Sequence, residues 1–146
     1  MEKKVQKIVE ELLEKIGVTA TVDVEALEDS YQVRLDGEEN ALLIGKHGNT
    51  LTSIELIATL ILAKEIGEFK RITIEIGDYR REREDYLKDL AGRLKDDVIS
   101  SGYEKTVRGL KPWERRLIHM HLSEDSEVIT ESTGDDRDRV LVIKKK

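Results

Sequence analysis

Two glycines separated by two residues, Gly45-Lys46-His47-Gly48, form the stretch of this chain with the clearest chemical potential. Glycine has no Cβ, so the backbone can approach a ligand closely at both positions. Lys46 is a cation, and His47 can become one near neutral pH. A helix is predicted to begin at Gly48, and the unpaired N–H groups of a helix start favour an anion. The spacing therefore predicts an anion-binding loop.

The residues that flank this loop indicate that the anion is a phosphate. No Asp or Glu occurs from Asn40 to Ile54, although the whole chain carries a net charge of −6. A nucleotide-binding P-loop is excluded, because a G-x-x-x-x-G-K-[ST] motif would need a glycine at Asn40 and a hydroxyl at His47. A plain turn is the alternative reading. We predict that phosphates are held by six consecutive residues: Ile44, Gly45, Lys46, His47, Gly48 and Asn49.

A second candidate site lies in the segment Arg115-Arg116-Leu117-Ile118-His119. Arg115 and His119 are four residues apart, so on a helix they share one face about one turn apart. A guanidinium next to an imidazole suits phosphate pairing and stacking on an unpaired base. The alternative is a solvated charged face with a structural histidine. Three further cations complete the predicted second site: Arg108, Lys111 and Arg139.

Hydrophobic periodicity predicts the elements that position the loop. Apolar residues recur with helical spacing from Val5 to Ile16 and alternate over residues 19–27 and 31–35, which indicates a helix and a β-hairpin. The elements that follow are a short helical turn over residues 41–44, the glycine loop, a long helix over residues 49–66 and a strand over residues 72–76.

The long helix carries apolar residues on two faces, so we expect it to lie buried between the sheet and another helix. The first face consists of Leu51, Ile54, Ala58 and Ile61, and the second of Leu56, Leu60 and Ala63. We also expect Ile44 and Val33 to line an apolar groove beside the loop, where bases would lie.

The second half is predicted to contain a helix, a strand, a helix and two further strands. Asp78 is a good N-cap for a helix that ends near Gly102, and Pro112 suits the first turn of a helix that ends near Leu122. Extended segments are predicted at residues 103–110, 127–133 and 139–143. The cluster Arg80-Arg81-Glu82-Arg83 is either a solvated helix start or a further nucleic-acid contact.

Composition bounds the class of protein. The 146 residues, 38% hydrophobic and 38% charged, suffice for one domain or two small ones and are too apolar for disorder. Cysteine is absent, and His119 and His121 project in different directions on a helix, so no metal or other cofactor is expected. No nucleophile motif indicates an enzyme. No secretory signal or membrane-inserting run is found, so we expect a cytoplasmic location.

The order helix, strand, strand, short helix, glycine loop, long helix, strand resembles a KH domain of the bacterial (type II) arrangement. In that family the G-x-x-G loop clamps about four nucleotides of single-stranded backbone. The second half resembles the Arg-x-x-x-His single-stranded nucleic-acid domain, called here the R-three-H domain. The segments that carry this resemblance are Leu110-Lys111-Pro112, Arg115, His119 and Ser132-Thr133-Gly134 before Arg139. A KH domain followed directly by an R-three-H domain resembles the Jag family of SpoIIIJ-associated proteins, also called KhpB.

This resemblance implies an α+β fold made of two small α/β-sandwich domains. A type II KH domain (αββααβ, a three-stranded sheet with helices on one face) is expected over residues 1–77. An R-three-H domain (αβαββ, a three-stranded sheet with two helices) is expected over residues 78–146. The family's usual N-terminal Jag domain and its linker are expected to be absent.

The resemblance also implies a function, that of a non-enzymatic, cytoplasmic single-stranded RNA-binding protein. Such a protein would be a post-transcriptional regulator linked to cell elongation and division in bacteria. Single-stranded DNA stays open as a ligand. The acidity of the first half favours an alternative, a protein-interaction scaffold that reaches RNA only through a partner. The partner that the resemblance implies is a small single-domain KH protein.

Overall fold

A computed structural model describes residues 1–135 and 138–146 of the chain. The chain divides into two compact units, Met1–Arg80 and Arg81–Lys146. Each unit combines helices with its own three-stranded sheet. The element orders are αββααβ and αβαββ, so the predicted α+β fold class is confirmed.

The first unit is built around the central strand of its sheet. Its elements are α1 (Glu2–Ile16), β1 (Thr21–Ala26), β2 (Ser30–Asp36), α2 (Asn40–Ile44), a 3₁₀ turn (Lys46–Gly48), α3 (Asn49–Ile66) and β3 (Arg71–Ile76). The sheet order is β1-β2-β3, with β1 antiparallel and β3 parallel to β2. The buried side chains of α1 and α3 pack against those of β2 and β3 in one hydrophobic core. The glycine loop therefore joins two helices that are anchored to the same sheet.

Helix α3 is fixed to the outer edge of β3 by two side chains. Thr59 Oγ1 accepts a hydrogen bond from the N–H of Ile72 at 3.0 Å, and Glu55 Oε2 accepts one from the N–H of Ile74 at 2.7 Å. These bonds occupy N–H groups that an edge strand would otherwise expose. They also hold α3, and with it the end of the glycine loop, in one register along the sheet.

One prediction about α3 is wrong. Its first apolar face is largely buried, with Ile54 and Ala58 in the core and Leu51 and Ile61 packed against it. The second face is open to solvent, because Leu56 is 59% exposed and Leu60 is 54% exposed. An apolar period on a helix shows only that a side chain is suited to burial, whereas the neighbouring elements decide which side is covered. Helix α3 is therefore covered on one side only within this unit.

The second unit contains α4 (Tyr79–Ser101) apart from its first two residues, which belong to the first unit. The elements that follow are β4 (Lys105–Val107), α5 (Pro112–Leu122), β5 (Val128–Thr133) and β6 (Val140–Lys145). Its sheet order is β4-β6-β5, and both pairs are antiparallel. The extended segment predicted over residues 103–110 shortens to a three-residue strand, because Gly109, at a φ of +77°, turns the chain toward α5. Buried residues of α4, α5, β5 and β6 form a second hydrophobic core.

The turn into β5 is organised by Asp125. Its Oδ1 accepts hydrogen bonds from the N–H groups of Glu127 (2.8 Å) and Val128 (3.3 Å), and its Oδ2 lies 2.5 Å from Lys95 Nζ. The Lys95 contact, followed by the Glu127 N–H, holds the pKa of the Asp125 carboxyl below its ordinary value. The same contact raises the pKa of Lys95. Asp125 thus fixes where β5 begins.

Among residues 1–135 and 138–146, no helix is both long enough and apolar enough to cross a bilayer.

Candidate nucleic-acid interface

The glycine loop depends on Gly45 for its backbone path. Gly45 has φ +70° and ψ −171°, a combination that is essentially restricted to glycine. A Cβ at this position would lie 2.7 Å from Thr50 Cβ, inside any acceptable contact. Gly45 therefore serves two purposes, because it allows the turn and leaves room for the first turn of α3.

Positive φ angles continue through the loop. His47 has φ +54° and is the one non-glycine residue with positive φ in the described part of the chain, and Gly48 follows at φ +78°. A Cβ on Gly48 would lie 2.9 Å from the hydroxyl oxygen of Tyr79, so a ring occupies the space below this glycine. The backbone is thus folded tightly, while the side chains of Lys46 and His47 are exposed.

The start of α3 is open to an anion. Gly48 is its N-cap, and its first turn contains no acidic residue. The hydroxyls of Thr52 and Ser53 donate to the carbonyls of Gly48 and Asn49, both at 3.0 Å, so they do not serve as caps. The positive end of the helix dipole, the glycine backbone and the exposed side chains of Lys46 and His47 therefore lie at the same end of α3.

The groove beside the loop differs from the expected one. Val33 is fully buried in the centre of the sheet, so the prediction that its side chain would line a base groove is wrong. Ile44 is half-buried and packs against the core. Leu42, one turn before the loop on α2, is 57% exposed and was missed by the sequence analysis. Leu42 could have been predicted from its position, because it lies in the same short apolar helix as Ile44.

The second candidate site is assembled at the start of α5 by a buried carboxylate. Glu114 is completely buried, and its Oε1 accepts a hydrogen bond from the N–H of Lys111, the N-cap residue, at 2.8 Å. Its Oε2 lies 2.6 Å from Nε of Arg83 on α4, whose side chain is only 10% exposed. Arg83 therefore belongs to the interior of the second unit and not to a solvated or nucleic-acid-binding cluster.

Arg115 is anchored at one end and available at the other. Its Nη1 donates to the carbonyl oxygen of Leu110 at 2.6 Å, and the side chain is half-buried. A guanidinium has five N–H donors, so one structural bond leaves donors for a ligand. This bond ties the segment before α5 to the helix, and it also fixes the orientation of the Arg115 side chain.

His119 is exposed on α5 and is bonded to the neighbouring strand. Its Nδ1 lies 2.6 Å from the hydroxyl oxygen of Thr130 on β5. Thr130 is buried, and no sequence pattern had indicated a polar role for it. The ring is therefore fixed by a residue that the sequence analysis missed.

The remaining predicted cations are distributed around α5. Lys111 is half-buried at the N-cap, and Arg108 is exposed in the connection between β4 and α5. Arg139 is exposed, and its Nη1 donates to the carbonyl of Gly134 at 3.1 Å, beside the end of β5. Lys111, Arg115 and His119 therefore follow one another along α5, whereas Arg139 braces the strand that carries Thr130.

Comparison with known protein families matches both halves of the chain. Residues 2–76 match the family described as KhpA/KhpB, KH domain, and residues 85–145 match the R-three-H domain family. Proteins named RNA-binding protein KhpB are similar along most of the chain. The one from Bacillus subtilis strain 168 is 32% identical over 137 residues, which is 92% of this chain and 66% of that protein.

Two further relatives extend the comparison. KhpB of Clostridium symbiosum is 28% identical over 145 residues, covering 98% of this chain and 65% of that protein. KhpB of Streptococcus pneumoniae strain D39 is 26% identical over 140 residues, covering 96% of this chain and 43% of that protein. The chain thus spans slightly less than two thirds of the length of the first two and less than half of the third. The predicted family resemblance is confirmed: this chain belongs to the KhpA/KhpB family, with a KH domain followed by an R-three-H domain.

Proposed function

We propose that this chain binds single-stranded RNA through both domains and acts in the cytoplasm as a post-transcriptional regulator rather than as an enzyme. The observation that carries the proposal is the acid-free glycine loop, in which exposed Lys46 and His47 meet the uncapped start of α3. The relatives' name, RNA-binding protein, supports the choice of RNA. The Jag resemblance supports a role in cell elongation and division.

The two sites offer complementary contacts to a single strand. At the loop, backbone N–H groups and a lysine suit phosphate oxygens, and the exposed side chain of Leu42 offers an apolar surface to a base. On α5, the guanidinium of Arg115 and the imidazole of His119 suit phosphate pairing and stacking on an unpaired base. Each site is small, so we expect modest affinity for short oligonucleotides.

The proposal is tested by titrating the purified chain into labelled single-stranded RNA at two salt concentrations, with DNA of the same sequence in parallel. Micromolar binding that weakens as salt rises is the expected result, because phosphate contacts release counterions. Tighter binding of RNA than of DNA would indicate contacts to the 2′-hydroxyl. Absence of binding to either strand at low salt would contradict the proposal.

The salt dependence of binding also tests Arg115. In the Arg115→Ala variant we expect the slope of log K against log salt to flatten by about 0.7, the contribution of one phosphate on a single strand. Arg116 is the matched control, because it is exposed and lies about 100° around the same helix. Arg116→Ala should leave the slope unchanged. An unchanged slope in Arg115→Ala would restrict that arginine to its bond with Leu110.

A second candidate function is favoured by the open face of α3. Leu56, Ile57 and Leu60 are 59%, 46% and 54% exposed and share one side of the helix. This apolar face contrasts with α1, whose exposed side is rich in Lys and Glu. Contiguous exposed apolar side chains are typical of interaction surfaces. We propose that a small single-domain KH protein docks on this face, so that RNA is held by a complex.

The docking proposal is tested with the Leu56→Glu/Leu60→Glu variant and a purified small KH protein. We expect at least a tenfold loss of complex formation, measured by size-exclusion chromatography with light scattering, because two charges would be buried in an apolar contact. Met120→Glu, at another exposed apolar residue (66%), should leave the complex intact. If the double variant still forms the complex, the α3 face is not the docking surface. If RNA binding requires the complex, the scaffold function replaces direct binding.

A further inference from the structure

We propose that Thr130 is a positioning residue for RNA recognition, because its buried hydroxyl holds His119 in one tautomer and aims Nε2 at the ligand. The expected effect on RNA affinity rests on the proposed function. The tautomer of His119 does not, because it is a property of the free protein. Neither the Arg-x-x-x-His spacing nor the family match assigns a role to this threonine.

The first step is the contrast in burial between the two partners. Thr130 is 7% exposed and lies on β5, with its side chain on the same face as buried Val128. His119 is exposed on α5. The 2.6 Å contact between Thr130 Oγ1 and His119 Nδ1 therefore runs from the interior to the surface. It ties one ring nitrogen to the scaffold and leaves the other side of the ring outward.

The second step is hydrogen-bond satisfaction. Within the described residues, His119 Nδ1 is the one hydrogen-bond partner of the Thr130 hydroxyl. A buried O–H donor without an acceptor costs about 1–3 kcal/mol. The hydroxyl therefore donates to Nδ1, which must then be unprotonated. A neutral imidazole then carries its proton on the other nitrogen, so the neutral ring of His119 takes the Nε2–H tautomer.

The third step concerns the ligand. Nε2–H is a donor, and it has no hydrogen-bond partner within residues 1–135 and 138–146. It suits an acceptor oxygen of RNA, from a phosphate or from a base carbonyl. An imidazole free to adopt both tautomers would present a donor only part of the time. Thr130 thus raises the affinity without touching the RNA.

The tautomer is measured directly by ¹⁵N NMR of the histidine rings in the free protein, at a pH where His119 is neutral. We expect the Nε2–H pattern in the wild type and a mixture of tautomers in Thr130→Val. Valine has the shape of threonine and suits a buried strand position, so the variant should fold. An Nδ1–H tautomer in the wild type, or the same tautomer in both proteins, would overturn the inference.

Affinity supplies the second readout. We expect Thr130→Val to bind single-stranded RNA about 2- to 10-fold more weakly, the value of one net hydrogen bond, and Thr130→Ser to restore binding. Thr106→Val removes an exposed threonine hydroxyl from β4 and should change nothing. In a His119→Ala background, Thr130→Val should cause no further loss. Equal affinity of Thr130→Val and wild type would overturn the positioning role.

Two RNA-like ligands distinguish whether Nε2–H of His119 donates to a phosphate oxygen or to a base carbonyl. A uridine oligomer and an abasic ribose-phosphate oligomer of equal length are titrated with wild type and Thr130→Val. A loss on both places Nε2–H on a phosphate, and a loss on the uridine oligomer alone places it on a base carbonyl. A wild type that shows the Nε2–H tautomer but binds neither oligomer would contradict the proposed function, not the tautomer.

Discussion

Replacing Lys46 and His47 with aspartate should weaken RNA binding by about 10- to 100-fold and leave the fold intact. Charge-assisted contacts contribute about 1.5–3 kcal/mol each, and tenfold in affinity corresponds to about 1.4 kcal/mol. The variant removes such a contact and places two carboxylates at an otherwise acid-free helix start. The fold should tolerate the change, because both side chains are exposed and aspartate readily adopts the positive φ of position 47.

A control variant with the same change in net charge separates the effect of the loop residues from the effect of the protein's total charge. Lys3→Asp/Gln6→Asp also adds three negative charges when His47 is counted as neutral, on the exposed side of α1. We expect its affinity to fall by less than threefold, because exposed charges far from the ligand are screened by salt. Fluorescence anisotropy with labelled RNA measures both variants, and circular dichroism checks the fold. Equal losses in the two variants would mean that the loop is not the binding site.

The loop could be predicted from the sequence because its physics is local. Gly45 and Gly48 are spaced for a tight turn, and the structure gives both positive φ angles. The lack of acidic residues around Lys46 is equally visible in the sequence. Strand and helix order followed from the alternation of β2 and β3 and from the helical spacing of α1. None of these inferences required knowledge of which elements meet in space.

Apart from the shortened strand before Gly109, the errors concern contacts between distant parts of the chain. The alternating pattern of β2 led to the prediction that Val33 lines a groove, but its side chain lies in the core formed with buried residues of α1 and α3. Leu56 and Leu60 are apolar, yet no element of their unit covers them. Thr130 pairs with His119 eleven residues away, across two elements. Hydrophobic periodicity predicts which face of a helix or strand is apolar. The burial of that face and its contacts depend on how the elements pack against one another.

The ion pair between Arg83 and Glu114 is another such distant contact, since its partners are 31 residues apart in the sequence. In the sequence, Arg83 belonged to a cluster of charges and Glu114 to a helix start. In the structure they share a 2.6 Å contact with side-chain exposures of 10% and 0%. Glu114 also holds the N–H of Lys111, next to Leu110, the residue to which Arg115 is bonded. One buried carboxylate therefore supports the geometry of the second site.

Replacing Glu114 with alanine should lower the free energy of unfolding of the second unit by about 3–5 kcal/mol. Removing one partner of a buried pair leaves the other charge without compensation in the interior. Domain stabilities are typically about 5–15 kcal/mol, so the loss would be a large fraction of the total. Urea denaturation followed by Trp113 fluorescence measures it, because this sole tryptophan packs against the second core.

Two further variants decide whether the buried pair is the cause. Glu131→Ala breaks a 2.9 Å pair with Lys144 in the same unit, but both side chains are more than 40% exposed, so solvent screens the pair and we expect a far smaller loss of stability than in Glu114→Ala. Arg83→Met/Glu114→Leu replaces both buried charges with apolar groups and should recover most of the stability lost in Glu114→Ala. A loss below about 1 kcal/mol in Glu114→Ala would show that the carboxylate is not buried against Arg83 in solution. Arg115 would then lack the rigid helix start on which its proposed contact with RNA depends.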